Sequence, residues 1–293
     1  MILNASTLAI LAQSVDARFS SGLARASTPT DFLSMDIPST TGANIYPYLK
    51  DLGSIREWVG DRVLQNLDQG NFTILNKDYE FTRGLPRNAI DDDSYGIYGP
   101  DFEQAGANVQ AFPADKQYEL LKAGHATLCP DGQYFFDTDH PVGAGVVSNS
   151  LSGAGTPWYV IDSSKVYKPL IWQPRKSFNL VKLFNPDDPN VFFQKQLVWG
   201  VDGRAGVGFS PFWQLAMRSQ ATLDATGLDA AVTAMASQKN DAGKPLKIMG
   251  THLVVPPVLR SAAQALVETR TLPAGGDNPN FGLLKLVVAP ELI

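Results

Sequence analysis

The densest group of chemically able side chains lies in the stretch HATLCPDGQYFFDTDHPVG, where Asp137, Asp139 and His140 follow the only cysteine, Cys129, and His125 stands just upstream. A cysteine beside a histidine can serve as nucleophile and base, and two carboxylates with an imidazole can hold a metal ion. Neither set is complete. The chain has 3 histidines, and nothing nearby marks itself as the group that would orient a catalytic imidazole. The simpler reading is a turn, with the aspartates accepting hydrogen bonds from backbone amides ahead of Pro141. A second acidic run, Asp91, Asp92 and Asp93, lacks the alternating ligands and glycine bend of a calcium loop. The glycine stretches also fail as phosphate cradles. Ser148 stands where a third glycine belongs after Gly143 and Gly145, and Pro245 follows Gly243-Lys244 in place of a hydroxyl residue. No cofactor is expected. A cytosolic hydrolase built on Cys129 and His140 stays open as the catalytic alternative.

Composition narrows the classes further. A chain of 293 residues can bury a core without staples, and one cysteine excludes an internal disulfide framework and a cysteine-rich zinc site. Charged residues make up 18%, against the usual ~25%; so little charge suits a chain whose surface is largely hidden against other subunits. A net charge of −5 argues against a reader of nucleic acid with a basic footprint, though not against a protein that encloses DNA without gripping it. No run approaches the ~20 apolar residues of a membrane helix, and the first residues lack the basic n-region of a signal peptide. The expectation is a mature, intracellular, soluble protein with no membrane partner.

The elements that must position these residues are uneven. Leu8, Leu11, Val15 and Phe19 recur at helical spacing and predict a helix over 5–24. A polar stretch of Ser, Thr, Pro and Gly then runs to Tyr48 without periodicity, awkward for a compact monomer but natural for an arm lying along a neighbour. A short helical segment carries Arg56, Trp58 and Arg62. In NFTILNKDYEFT, Phe72 and Ile74 alternate with Thr73 and Leu75, Asn76–Asp78 supply turn residues, and Tyr79 and Phe81 open a returning strand. This predicts a hairpin over 63–86 with apolar side chains on both faces. Basic residues around it, Arg83 among them, mix with Asp91, Asp92 and Asp93; they read either as a solvated ribbon or as inter-subunit ion pairs. Phe102, Ala105, Val109, Phe112, Tyr118 and Leu121 predict one bent helix or two abutting ones over 100–123, broken at Pro113. Strands are expected at 159–161, 170–172, 191–199, 207–212, in the run LKIMGTHLVVPP and at 283–288, with helices at 223–237 and 257–268. The class is α+β.

The blocks SIREWVGDRV, NFTILNKDYEFT, RNAIDDDSYGIY, LLKAGHATLCPDGQYFFDTDHPVG and WGVDGRAGVGF resemble the major head subunits of Mu-like phages, the gpT family, in order over roughly 38–260. The resemblance implies the Hong Kong-97-type capsid fold. Residues 1–50 would be an N-terminal arm and 51–90 an extended E-loop. Residues 91–215 would form a peripheral domain with the spine helix at 100–123, interleaved with an axial domain that takes most of 216–293. It also implies a structural, non-enzymatic subunit of the virion, assembled in the host bacterial cytoplasm. Its partners would be further copies in hexamers and pentamers, with a portal and a scaffold or protease during assembly. Double-stranded DNA would be enclosed without sequence-specific binding. A cellular nanocompartment shell of the same fold is the nearest alternative. Inter-subunit contacts are then expected from Leu8, Leu11, Val15 and Phe19 on the arm, Arg56, Trp58 and Arg62 after it, Phe72, Ile74, Leu75, Tyr79, Phe81 and Arg83 on the hairpin, and Asp91–Asp93 beyond.

Overall fold

A computed structural model of the chain describes residues 5–25, 27–49, 69–92, 98–241, 243–272 and 275–293. The elements run α1 (Ala5–Leu23), β1 (Ser34–Asp36), β2 (Ala43–Leu49), β3 (Gln69–Leu75), β4 (Lys77–Pro86), α2 (Arg87–Asp91) and α3 (Gly99–Ala123). Then follow β5 (His140–Val142), β6 (Gly145–Val147), β7 (Ser150–Leu151), β8 (Trp158–Ile161), β9 (Leu170–Leu183), α4 (Pro189–Gln194) and β10 (Gln196–Phe209). The chain closes with β11 (Ala216–Ser219), α5 (Ala225–Ala236), β12 (His252–Val255), α6 (Arg260–Val267) and β13 (Lys285–Val288).

The long helix α3 is a single element of 25 residues. Pro100 sits in its first turn, where a missing N–H costs nothing. Pro113 lies inside it, giving up one backbone bond while Ala114, Tyr118 and Leu121 hold the second half to the core. Helix α1 packs along the first half of α3. Gly22 and Gly106 let the two backbones touch: a Cβ on Gly106 would collide with the Phe19 carbonyl oxygen, and one on Gly22 with that of Glu103.

Two sheets organise the rest. The four-stranded sheet has the order β1-β9-β10-β4, and the five-stranded sheet the order β13-β12-β8-β11-β7. The second is buried on both faces, which explains its continuous apolar runs. Trp158 and Val160 of β8 and Leu253 and Val255 of β12 face α5 and α6, packing with Leu228, Met235 and Val267. Tyr159, Ile161 and Val254 face the opposite way, toward Tyr118 and Leu121 of α3 and the Phe135–Phe209 stack. A third core joins Leu8, Val15 and Phe19 of α1 to Phe102, Leu197, Trp199 and Val201. Among the described residues no helix is long and apolar enough to cross a membrane.

Several elements differ from expectation. Residues 191–194 are helical where a strand is expected: Asp188-Pro189 opens a turn of helix and Lys195, at φ 51°, ends it. β9 and β10 each run 14 residues, because Leu197, Trp199 and Val201 in the first half of β10 line the third core while Phe178 and Leu180 of the paired half of β9 pack against it. β2 lies within the stretch read as an irregular arm. The largest change is in pairing. β3 pairs with β2, Ala43 opposite Leu75 and Leu49 opposite Gln69, while β4 pairs with β10, Gln196 opposite Pro86 and Ala205 opposite Lys77. The expected hairpin of 63–86 is therefore two strands that part at Asn76. The helix expected around Arg56, Trp58 and Arg62 lies outside the described residues.

Candidate assembly interface

The residues that could do covalent or metal chemistry are built into a closed turn. Asp137 accepts from the amides of Thr138 (2.7 Å) and Tyr134 (3.3 Å), and its own amide donates to Asn149 Oδ1. Asp139 is exposed, and His125 rests against the Lys122 carbonyl oxygen at 3.0 Å. His140 is fully buried. Its Nδ1 donates to Asp131 at 2.7 Å, and its ring lies flat on Trp213 with centroids 3.8 Å apart. Asp131 is thus the orienting group that inspection of the motif missed. It is not paired with a reactive nucleophile. Cys129 is buried with Sγ 3.7 Å from the Ser210 carbonyl oxygen, and burial, then the Asp131 carboxylate, push its thiol well up. A thiol held protonated in this way is inert. Among the described residues no group of three or more His, Cys, Asp and Glu side chains could hold a metal ion.

The expected interface residues fall into three groups. Leu8, Val15 and Phe19 are buried within the same chain, and Leu11 packs at the edge of that core. In the subunit the apolar stripe of α1 packs against α3 and β10. Ile74 is also buried within the chain. It is 4% exposed, with its side chain in a notch left by two glycines of β10; a Cβ on Gly208 would lie 2.6 Å from it. Arg83 pairs with Asp101 of α3, and its guanidinium lies 5.3 Å over the Phe81 ring. Tyr79 meets Phe112 edge-on, 4.6 Å between centroids, below Lys116. Phe81 meets Trp199 in the same way and stays partly exposed. Asp91 ends α2 and Asp92 follows as its cap. Arg56, Trp58, Arg62 and Asp93 lie outside the described residues.

What remains outward is a different face. In the β2–β3 ribbon, Asn44, Tyr46, Phe72 and Ile74 share one side and Ala43, Ile45, Thr73 and Leu75 the other. Phe72 and Tyr46 stack at 5.2 Å on the first side. On the second, Ile45 is 67% and Leu75 64% exposed. Leu75 was anticipated and Ile45 was not, although NIYPY alternates in the same sense. A second apolar pair, also unanticipated, sits on α4, where Phe192 and Phe193 meet edge-on at 5.0 Å and are 70% and 79% exposed. Single exposed apolar residues are ordinary; contiguous ones on projecting elements mark contact surfaces.

These features have close counterparts. The family model described as Mu-like prophage major head subunit gpT matches residues 8–292. The chain is 34% identical to the major capsid protein of Escherichia phage Mu over all of both chains. It is 37% identical to the Mu-like prophage FluMu major head subunit of Haemophilus influenzae, over 85% of each. The subunit in the procapsid of bacteriophage JBD30 superposes with a TM-score of 0.84 at 38% identity, covering 99% of this chain and 100% of that one. The chain therefore belongs to the Mu-like prophage major head subunit gpT family, and its fold is the α+β, Hong Kong-97-type phage capsid fold.

Proposed function

We propose that copies of this chain join as hexamers and pentamers into the icosahedral shell of a phage head, enclosing double-stranded DNA. That the chain is a major capsid subunit and a virion component follows from its family; the hexamers, the pentamers and the enclosed DNA are the proposal. The observation that carries it is the β2–β3 ribbon. A two-stranded ribbon is marginal in water, and this one turns Ile45 and Leu75 outward, 67% and 64% exposed. A neighbour's surface supplies the cover, and contacts of that head-to-tail kind close into rings. The ribbon arms, 43–49 and 69–75, support an extended loop that would take in both of them, with an N-terminal arm that would end near 42. The four-stranded sheet with α1 and α3 would be the peripheral part, and the five-stranded sheet with α5 and α6 the axial part.

The chain carries no catalytic activity in this reading, since the one thiol is sealed and its neighbours serve the turn. The negative net charge suits a lining that must release DNA. By family resemblance the assembling shell also meets a portal and a scaffold or protease. Electron microscopy of the purified protein tests the proposal. Closed isometric particles or capsomer rings are expected; a uniform small oligomer with hydrolytic activity would overturn it, and protein cargo in place of nucleic acid would point to a nanocompartment.

A further inference from the structure

The base of the ribbon holds a set of buried polar side chains that no catalytic or turn requirement explains. Asn76, where β3 gives way to β4, donates through Nδ2 to Ser39 Oγ and to the Thr41 carbonyl, both at 2.8 Å. Its Oδ1 accepts from Gln173 Nε2 of β9 at 2.7 Å. Gln173 Oε1 in turn accepts from the Tyr46 hydroxyl of β2 at 2.6 Å. Ser39 Oγ donates to Asn44 Oδ1 at 2.7 Å, and the Asn76 amide donates to the Gly42 carbonyl at 3.0 Å. Gln173 is wholly buried, and Asn76 and Ser39 nearly so. Beside this network, Ile74 sits in the Gly206–Gly208 notch.

We propose that this network sets the angle at which the ribbon leaves the four-stranded sheet, with Asn76 and Gln173 as its positioning residues. Apolar contact alone is non-directional and would let Ile74 rock in its notch. Hydrogen bonds weaken steeply with misalignment, and a buried network whose members are all satisfied specifies one arrangement, because any other strands a polar group away from water. The network spans β2, the turn at Asn76 and β9, so it ties both ribbon arms to the sheet. A fixed angle fixes which part of a neighbour Ile45 and Leu75 can reach. The inference rests on the reading that a neighbour covers that outer face.

The test uses the full chain with spin labels at Thr73→Cys on the ribbon and Asn179→Cys on β9, both exposed positions, diluted into unlabelled subunits; Cys129, being buried, stays unlabelled. Wild type should give one narrow distance. Gln173→Met, which removes the partner of both Asn76 and Tyr46, should broaden it at least two-fold and cut the yield of closed shells at least ten-fold. Tyr46→Phe keeps the ring on Phe72 and loses one hydroxyl, so it should show the same changes more weakly; it carries the test if Gln173→Met fails to fold. Wild-type widths in both variants overturn the proposal. Broadened widths with undiminished shell yield overturn it too, since the angle would then not matter. Failure of the underlying reading looks different: Leu75→Asp would assemble normally whatever the label distances show.

Discussion

The five-stranded sheet and the β2–β3 ribbon are both made of short strands, yet they solve opposite problems. In the sheet every residue of β8 is buried, with Trp158 and Val160 serving one core and Tyr159 and Ile161 another. In the ribbon one face leans on its own chain through Ile74 and a polar network, and the other offers Ile45 and Leu75 to solvent. Burial on two faces makes the sheet the source of subunit stability. Burial on one face leaves the ribbon with unused apolar area, which another subunit can cover. On the proposed reading folding and assembly draw on different parts of the chain, and each can be perturbed separately.

The sharpest way to break that division is from the sheet side. Trp158→Ala removes a fully buried ring and its hydrogen bond to the Ala221 carbonyl at 2.9 Å. A cost of about 3–5 kcal/mol is expected, read as a large fall in denaturant midpoint together with loss of soluble subunit. A wild-type midpoint would mean that stability is not held there. Next comes the helix crossing. Gly106→Ala pushes a methyl into the Phe19 backbone, for about 1–3 kcal/mol of overpacking. Hydrogen exchange should quicken in α1 and leave β8 and β12 unchanged; uniform quickening would show that the cores are not separable.

Smaller effects sharpen the picture inside the closed turn. Cys129→Ser should cost about 1 kcal/mol, the low end of burying a hydroxyl, because the Ser210 carbonyl is at hand as acceptor. In wild type a thiol reagent should react only as fast as the subunit unfolds, and fast reaction of folded protein would contradict the sealed site. Smallest is a pH effect at His252, stacked on Phe32 at 4.3 Å. Burial, then Lys285, lower its pKa below the ordinary 6.5. The unfolded chain therefore binds the proton more readily, so His252 favours folding above 6.5 and that contribution fades as pH falls through the window below it. His252→Gln should flatten the decline in melting temperature between pH 7.5 and 5.5; an unchanged slope would assign the decline elsewhere.

How much of this the sequence discloses follows the same division. Amphipathic α3 is legible from its helical periodicity, and the doubly buried β8 and β12 from their short continuous apolar runs. The stripe Leu8, Val15, Phe19 announces burial but not against what; in the subunit it packs with Phe102 and Ala105 of the chain's own α3. The β2–β3 pairing spans the long insertion between Leu49 and Gln69, and Pro47 weakens the strand signal of β2. Asn76 and Gln173 stand 97 residues apart, so no local pattern could join them. Phe192 and Phe193 read as strand because they are apolar, whereas Asp188-Pro189 starts a helix that holds them outward.

The central claim, that the ribbon's outer face builds the shell and contributes little to the subunit, is tested most directly by Leu75→Asp. Circular dichroism melting and particle counting by negative-stain microscopy are run on the same preparation. Leu75 is 64% exposed in the subunit, so the melting curve should match wild type within a degree or two, the scale of a surface change of about 0.5 kcal/mol or less. Closed shells should be few or absent, because the charge would be stranded in a covered apolar contact. Shells of wild-type number and stability, or a subunit that unfolds outright, would contradict the account.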